Sequence, residues 1–190
     1  MKIGIAGGIG SGKSYVCSRL QERGITVYDC DRAAKHLIRT SPDIRQRLSA
    51  LIGPETYDTE GQLNKAAVAK FLLASEENAK AIDSIVHPAV FQDFLDSGIQ
   101  WMESALMYES GIARLVDRVV VVTAPKEVRI RRVMKRDGIS RQKVLEWMGR
   151  QMSQKEVRRL ADYEIINDGK ADVDAQLDHL LSDLQIQTDY

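Results

Sequence analysis

The chain has 190 residues, of which 44% are hydrophobic and 28% charged, and its 27 basic residues balance 27 acidic ones. These values argue against disorder, and the length suits one well-packed domain with an inserted lobe rather than two large domains. No apolar run approaches the roughly 18 residues of a membrane span, and the N-terminus lacks a signal-peptide pattern. We therefore expect a cytoplasmic protein without a membrane segment. Two cysteines are too few for a disulfide framework.

A phosphate-binding motif follows an apolar strand at residues 3–6. Residues 7–14 read Gly-Gly-Ile-Gly-Ser-Gly-Lys-Ser, a full match to G-x-x-x-x-G-K-[ST]. Such a loop turns backbone N–H groups toward phosphate oxygens at the start of a helix. Lys13 supplies a positive charge for the β and γ phosphates, and Ser14 supplies a hydroxyl for the accompanying Mg²⁺. The residues expected to bind the phosphates are Gly8, Gly10, Ser11, Gly12, Lys13 and Ser14.

Strands and helices alternate along the rest of the chain. We expect further strands at 25–28, 100–108, 119–123 and 163–167. We expect helices at 15–23, 33–38, 43–51, 64–73, 75–86, 126–135, 141–151 and 173–184, and a separate helix that starts at His87-Pro88 and runs to 98. This order predicts an α/β fold, a P-loop NTPase-type parallel sheet of about five strands flanked by helices, interrupted by a helical insertion. The ligand is expected beyond the carboxyl ends of the strands.

Two carboxylates follow the second predicted strand. Asp29 and Asp31 stand at its carboxyl end, near the phosphate loop in a sheet of this type. One could act as a base toward an acceptor hydroxyl and the other could hold a magnesium-bound water, although an Asp here could also cap the next helix. GTPases and motor ATPases usually carry an apolar strand ending in Asp later in the chain, whereas the strand at 119–122 is followed by Thr123. The pattern favours a kinase of a small molecule.

Positive charge is concentrated in residues 126–159, which hold twelve Lys or Arg and four Asp or Glu. A basic block on a neutral chain indicates a local anionic ligand rather than a nucleic-acid coat, so we expect no nucleic-acid partner. The alternative is a solvated helix face.

In combination, these segments resemble the dephospho-CoA kinase family. The landmarks are residues 7–14, Val27 to Asp31, His87-Pro88, Leu106 to Glu109, Val119 to Ala124, Arg132, Arg136-Asp137, Gln151, Ala161-Asp162 and Asn167 to Gly169. They run nearly end to end in order. Enzymes of this family transfer the γ-phosphoryl group of ATP to the 3′-hydroxyl of the dephospho-CoA ribose, the last step of CoA biosynthesis. The resemblance thus implies ATP and dephospho-CoA as substrates and ATP with Mg²⁺ as the phosphoryl donor.

The resemblance also implies roles for individual residues. It makes Asp31 the base that accepts the proton of the acceptor hydroxyl. Asp31 and Lys13 are then both catalytic residues. The resemblance places Arg136 and Arg141 in a lid, where the family uses arginines against the ATP phosphates. Phosphoryl transfer depends mainly on positioning and charge stabilisation, which a closing lid supplies. Arg132 stays open between a phosphate contact and a structural helix arginine.

The resemblance implies roles for four further residues. Asn167 and Gly169 resemble a loop that lies near adenine, although a turn after a strand is an equal interpretation. His87 is expected to contact the acceptor or, alternatively, to serve as a structural cap before Pro88. Tyr15 stands where the family usually has Thr, and we expect it to alter contacts near the α phosphate.

The family pattern implies three parts. A nucleotide-binding core comprises 1–31, 88–135 and 160–190, an acceptor lobe comprises 32–87, and the lid comprises 136–159.

Two departures and two alternatives accompany this interpretation. Ser104-Ala105-Leu106 replaces the usual Pro-Leu-Leu, and Leu63-Asn64-Lys65 replaces a Leu-Asp-Arg pattern. We expect these two departures to affect the details of acceptor contacts. The nearer alternative function is another small-molecule P-loop kinase, such as a nucleoside or nucleotide kinase. The more distant one is a P-loop binding protein or GTPase switch, which should carry an Asn-Lys-x-Asp tetrad that this chain lacks. The pattern does not define an oligomeric state.

Overall fold

A computed structural model describes residues 1–186 of the chain. These residues form two compact units, one of Met1–Asp29 with the chain from Ile99 onward, and the other of Cys30–Gly98. No helix in the described part is long and apolar enough to cross a membrane.

The first unit contains one parallel sheet of five strands. The strands are β1 (Ile3–Ala6), β2 (Val27–Asp29), β3 (Trp101–Glu103), β4 (Arg118–Thr123) and β5 (Tyr163–Ile166). Their order is β2-β3-β1-β4-β5, so β1 is central. All four residues of β1 and five of the six in β4 are buried, as the near-continuous apolar runs of a doubly covered parallel sheet require. The predicted fold class is confirmed.

Five α-helices accompany this sheet in the described part of the first unit. They are α1 (Lys13–Gln21), α6 (Lys126–Asp137), α7 (Arg141–Gly149), α8 (Gln154–Leu160) and α9 (Val173–Asp183). Val16 and Leu20 of α1 and Leu177 of α9 pack into the core that contains the buried faces of β1 and β4. Arg23 is buried beside them, and Asp174 and Asp178 of α9 accept its hydrogen bonds at 2.9 and 2.8 Å. Ion pairing therefore satisfies the buried guanidinium of Arg23.

The second unit is helical. It consists of α2 (Cys30–Thr40), α3 (Pro42–Ile52), a short 3₁₀ turn (Pro54–Thr56), α4 (Lys65–Ala74) and α5 (Glu76–Ser97). Side chains of Ser41, Asn64 and Ser75 cap the last three helices by accepting N–H groups of the first turn. The helical insertion expected from the sequence is thus present.

Three sequence predictions within the elements are wrong. Pro88 does not start a new helix but lies inside α5, whose buried residues Val86 and Val90 on either side hold the helix together despite the missing N–H. The third strand stops at Glu103 instead of continuing to 108, because residues 105–110 form a turn. Helix α8 was not expected, yet Ser153 and Glu156 form a capping box at its start.

Candidate functional site

The phosphate loop has the strained backbone that its glycines predict. Gly10 and Gly12 have φ angles of 78° and 93°, in the left-handed region that side chains disfavour. The space is also closed: a Cβ on Gly10 would lie 2.6 Å from the carbonyl oxygen of Arg129, and one on Gly12 would overlap the side chain of Asn167. Both the turn and the close packing therefore require glycine.

The loop ends in an open helix terminus. Gly12 is the N-cap of α1 and has no side chain to cap the N–H groups of the first turn. Lys13 and Ser14 are the first two residues of that helix, and Ser14 is exposed. Uncapped N–H groups and the positive end of the helix dipole bind anions, so this terminus is suited to phosphate.

Arg132 and Asn167 brace the loop from behind. The side-chain amide of Asn167 donates to the Ser11 carbonyl at 3.0 Å. Arg132 donates to the carbonyl of Asn167 at 2.9 Å and to that of Ser11 at 3.3 Å. Ser11 itself is fully buried, and its hydroxyl has no hydrogen-bond partner within residues 1–186. Arg132 therefore makes structural contacts both with the loop and with the residue that follows β5.

An open cavity of about 560 Å³ adjoins the loop. Tyr15, Asn167 and Gly169 line it together with Gly12 and Arg132. The volume falls in the range of ligand sites for small molecules. The structure thus brings together three residues that the sequence assigned to the nucleotide.

The peptide group of Ile9, at the top of the loop, is held on both sides. Its N–H donates to Oε1 of Gln151 at 2.8 Å, and its carbonyl accepts from Nε of Arg129 at 2.9 Å. Gln151 also donates to the carbonyl of Ala105 at 3.4 Å. Two side chains far away in sequence therefore fix the shape of the loop.

Two carboxylates stand at the carboxyl ends of the neighbouring strands β2 and β3. Asp29 ends β2 and Glu103 ends β3, and the two are partners in the register of the parallel pair. Ile5 of β1 is the next partner across the sheet. The thiol of Cys17 in α1 donates to Glu103 at 3.6 Å, and burial together with the Glu103 charge raises the pKa of that thiol. Carboxylate oxygens therefore lie at the carboxyl end of the sheet, from which the phosphate loop also departs.

The two predicted lid arginines are bound to acids. Arg136 donates two hydrogen bonds of 2.7 Å to Asp137, and Arg141 donates two of 2.7 Å to Glu127. These bonds lower the pKa of both carboxyl groups. About half or more of each arginine side chain is exposed. Within the described residues, neither arginine contacts the phosphate loop.

The remaining predicted site residues lie in the helical unit. Asp31 is the second residue of α2 and lies in its first turn, inside the helix rather than at the cap position before it. His87 lies in α5, 3.6 Å from Asp83, and its ring stacks on Phe91 with a centroid distance of 6.0 Å. His87 is not a cap at a helix start, because α5 begins eleven residues earlier at Glu76.

Comparison with known proteins identifies the family. The sequence profile of the family described as Dephospho-CoA kinase matches residues 1–172. The chain belongs to the dephospho-CoA kinase family. A dephospho-CoA kinase from Bacteroides fragilis is 38% identical over 100% of this chain and 96% of its own length. The resemblance seen in the sequence is confirmed.

Solved structures share the fold of this chain. The crystal structure of TT1252 from Thermus thermophilus is 32% identical, has a TM-score of 0.84 and covers 97% of both chains. Dephospho-CoA kinase from Campylobacter jejuni, at 19% identity and a TM-score of 0.69 over 97% of this chain and 98% of its own, shows the same fold. The dephospho-CoA kinase fold therefore extends over nearly all of the chain.

Sequence reasoning missed Glu103, Arg129 and Gln151. Glu103 was missed because the predicted third strand runs to residue 108, whereas the strand ends at Glu103. The prediction therefore did not place Glu103 at a strand end. Arg129 was counted in the basic block without a role, although it shares one helix face with Arg132. Gln151 was noted only as a family landmark, and nothing in its local sequence indicates a contact with Ile9, 142 residues away.

Proposed function

We propose that this chain transfers the γ-phosphoryl group of ATP to the 3′-hydroxyl of the ribose of dephospho-CoA, giving coenzyme A. The observation that carries this proposal is the open, glycine-capped helix terminus at Gly12 to Ser14 in a chain of the dephospho-CoA kinase family. A reaction of this type needs a fixed phosphate cradle, neutralisation of the charge that moves between oxygens, and an oriented acceptor.

The phosphate side of the reaction falls to the loop and α1. The N–H groups from Gly10 to Ser14 are suited to the β and γ phosphates, and the ammonium group of Lys13 adds a charge that follows the γ-phosphoryl group. Because the loop is braced by Arg132 and Asn167, its N–H groups need no rearrangement when the transition state forms.

The oxygen atoms at the carboxyl end of the sheet are suitable ligands for Mg²⁺. The described residues contain no cluster of three His, Cys, Asp or Glu that would hold an ion by themselves. Mg²⁺ commonly binds substrate phosphates, waters and one or two protein oxygens, and the Ser14 hydroxyl with Asp29 and Glu103 offers such oxygens. When bound, the ion neutralises phosphate charge.

The nucleoside of ATP is assigned to the cavity beside Gly12. Tyr15 offers a half-exposed ring there, and Asn167 and Gly169 supply the neighbouring wall. Tyr15 is close enough to the start of α1 to touch the α phosphate as well.

The acceptor side is assigned to Asp31 and to the helical residues that follow it. Asp31 serves as the base that accepts the proton of the 3′-hydroxyl, and His87 contributes to acceptor binding. Residues 32–87 act as the acceptor lobe, residues 136–159 as the lid, and 1–31, 88–135 and 160–190 as the core. Residues 187–190 of the last range lie outside the described part of the chain. In the closed lid, Arg136 and Arg141 leave their acidic partners for the ATP phosphates.

An acceptor panel tests the proposed function. Purified protein with Mg²⁺ and ATP is offered dephospho-CoA, adenosine, AMP, dTMP, shikimate or water alone, and ADP release is measured together with the mass of the product. We expect turnover with dephospho-CoA only, with a product heavier by one phosphoryl group. Faster turnover with a nucleoside or nucleotide would instead support the other small-molecule kinase. The cytoplasmic location expected from the sequence stays a prediction.

A further inference from the structure

Arg129 is a buried cation that contacts the main chain of the phosphate loop. Only 8% of the residue is exposed, and its Nε donates to the Ile9 carbonyl at 2.9 Å. Its Nη1 donates to Oε1 of Gln154 at 3.4 Å. A Cβ on Gly8 would overlap the Nη2 end of the guanidinium, so this end lies against the loop itself.

No acid neutralises this charge within residues 1–186, where the hydrogen bonds of Arg129 go only to a carbonyl and an amide oxygen. Burial lowers the pKa of its guanidinium, with no opposing contribution from a carboxylate. A buried arginine is normally paired, because an isolated charge loses its hydration without compensation. Arg23 of the same unit shows the usual arrangement, with Asp174 and Asp178 as partners.

One end of the guanidinium remains available. Nη2 donates no hydrogen bond to any described residue, and it is not among the fully buried polar atoms without a partner, which are the Ser11 and Tyr108 hydroxyls. A cation placed in this way next to an anion-binding loop attracts the anion strongly, because the low polarity of its surroundings weakens screening.

We propose that Arg129 is a second positive group of the phosphate site, which holds the Ile9 peptide in place and whose charge is compensated when the phosphates of the nucleotide bind. This inference rests on the proposed use of the loop for ATP. Lys13 is a mobile cation at the mouth of the loop, whereas Arg129 is a fixed cation behind it. Arg129 acts on the bound phosphates as a positioning residue.

Two matched substitutions separate charge from hydrogen bonding. Arg129→Lys keeps the charge and loses the forked geometry, whereas Arg129→Gln keeps a donor and loses the charge. Arg131→Gln removes an equal charge from the exposed side of the same helix and is the control. The probes are inorganic pyrophosphate and ADP, measured by calorimetry, with the melting temperature of the ligand-free protein as the second readout.

We expect Arg129→Gln to weaken pyrophosphate and ADP binding about tenfold or more, the size of a charge-assisted contact. The affinity of Arg129→Lys for both probes should stay within about threefold of that of the unaltered protein. The affinity of Arg131→Gln should be nearly unchanged, because solvent and salt screen an exposed charge. The ligand-free Arg129→Gln protein should melt no earlier than Arg129→Lys. If Gln and Lys weaken binding equally, or if Gln binds as well as the unaltered protein, the inference is overturned.

Gln151→Glu provides a test that leaves Arg129 in place. Oε1 of Gln151 lies 3.3 Å from the position of a Cβ on Gly8, and Arg129 Nη2 lies closer to that position. A carboxylate there keeps an acceptor for the Ile9 N–H and pairs with the guanidinium, so the ligand-free protein should melt at a higher temperature and bind pyrophosphate less tightly. An unchanged or lower melting temperature would count against an uncompensated charge. If the unaltered protein binds neither probe, the proposed function itself fails, whereas binding that is unaffected by Arg129→Gln removes only this inference.

Discussion

The side-chain amide of Asn167 donates a hydrogen bond to the Ser11 carbonyl at 3.0 Å and thereby ties the end of β5 to the phosphate loop. Asn167 is only 7% exposed, and the same amide occupies the space that a Cβ on Gly12 would need. The residue predicted to lie near adenine is therefore also part of the wall that shapes the loop.

Replacing Asn167 with Asp should reduce nucleotide binding more than it reduces stability. The carboxylate cannot donate to the Ser11 carbonyl and adds a negative charge beside the phosphates, although Arg132 can pair with it. Loss of a buried hydrogen bond costs about 1–3 kcal/mol. Calorimetric titration with ADP and a thermal melt on the same sample measure the two effects. Tighter ADP binding in the variant would contradict this prediction.

Lys13→Ala should nearly abolish phosphoryl transfer while the fold stays intact. The ammonium group lies at the start of α1, where it meets charge that shifts in the transition state, and such a contact is worth on the order of 3 kcal/mol or more. Turnover and circular dichroism are measured together. Lys2→Ala, which changes a partly exposed lysine outside the loop, is the control. A folded Lys13→Ala protein with normal turnover would disprove the role.

Arg136→Ala and Arg141→Ala should lower turnover more than they weaken dephospho-CoA binding. In this structure both side chains are paired with acids. In the proposed mechanism, their charges reach the ATP phosphates only when the lid closes. The exposed Arg131→Ala variant is the matched control. Measurement of kcat and of dephospho-CoA affinity separates the effects. Unaltered kcat in both variants would make residues 136–159 an ordinary solvated surface.

Asp31→Asn should reduce turnover by about 10² to 10⁴, the usual contribution of general-base catalysis. Asn keeps the size of Asp and its ability to stabilise a helix start. If Asp31 serves only to stabilise the first turn of α2, the substitution should change neither turnover nor stability noticeably. Turnover at saturating dephospho-CoA, ADP affinity and melting temperature are measured on one preparation. Normal turnover would remove Asp31 from the mechanism.

Asp174 should make stability depend on acid pH. Hydrogen bonds from Arg19 and then Arg23 hold the pKa of its carboxyl below the ordinary value. A carboxyl group whose pKa is lowered by folding stabilises the protein above its unfolded pKa, and that stability is lost as the pH falls through the folded pKa. The gap in melting temperature between the unaltered protein and Asp174→Asn should therefore shrink from about pH 6 to about pH 3. A gap that is constant over this range would mean that the ion pairs contribute nothing.

Local sequence patterns correctly predicted those parts of the fold that depend on a single physical property of adjacent residues. The glycines, Lys13 and Ser14 could be placed because their backbone demands and charge are tied to a contiguous motif. The apolar run of β4 indicated a buried parallel strand for the same reason. Signals failed where packing overrides local preference, as in α5, which continues through Pro88 because buried residues on both sides hold it.

The sequence by itself determined the family, the parallel α/β fold and the phosphate loop, since each depends on residues that are adjacent or regularly spaced. Tertiary structure decided which distant side chains surround the loop. Arg129 and Gln151 hold the same Ile9 peptide although they are 22 residues apart, and Glu103 meets Asp29 only because β3 lies between β1 and β2. Contacts of this kind depend on strand order and helix packing, which no local pattern encodes.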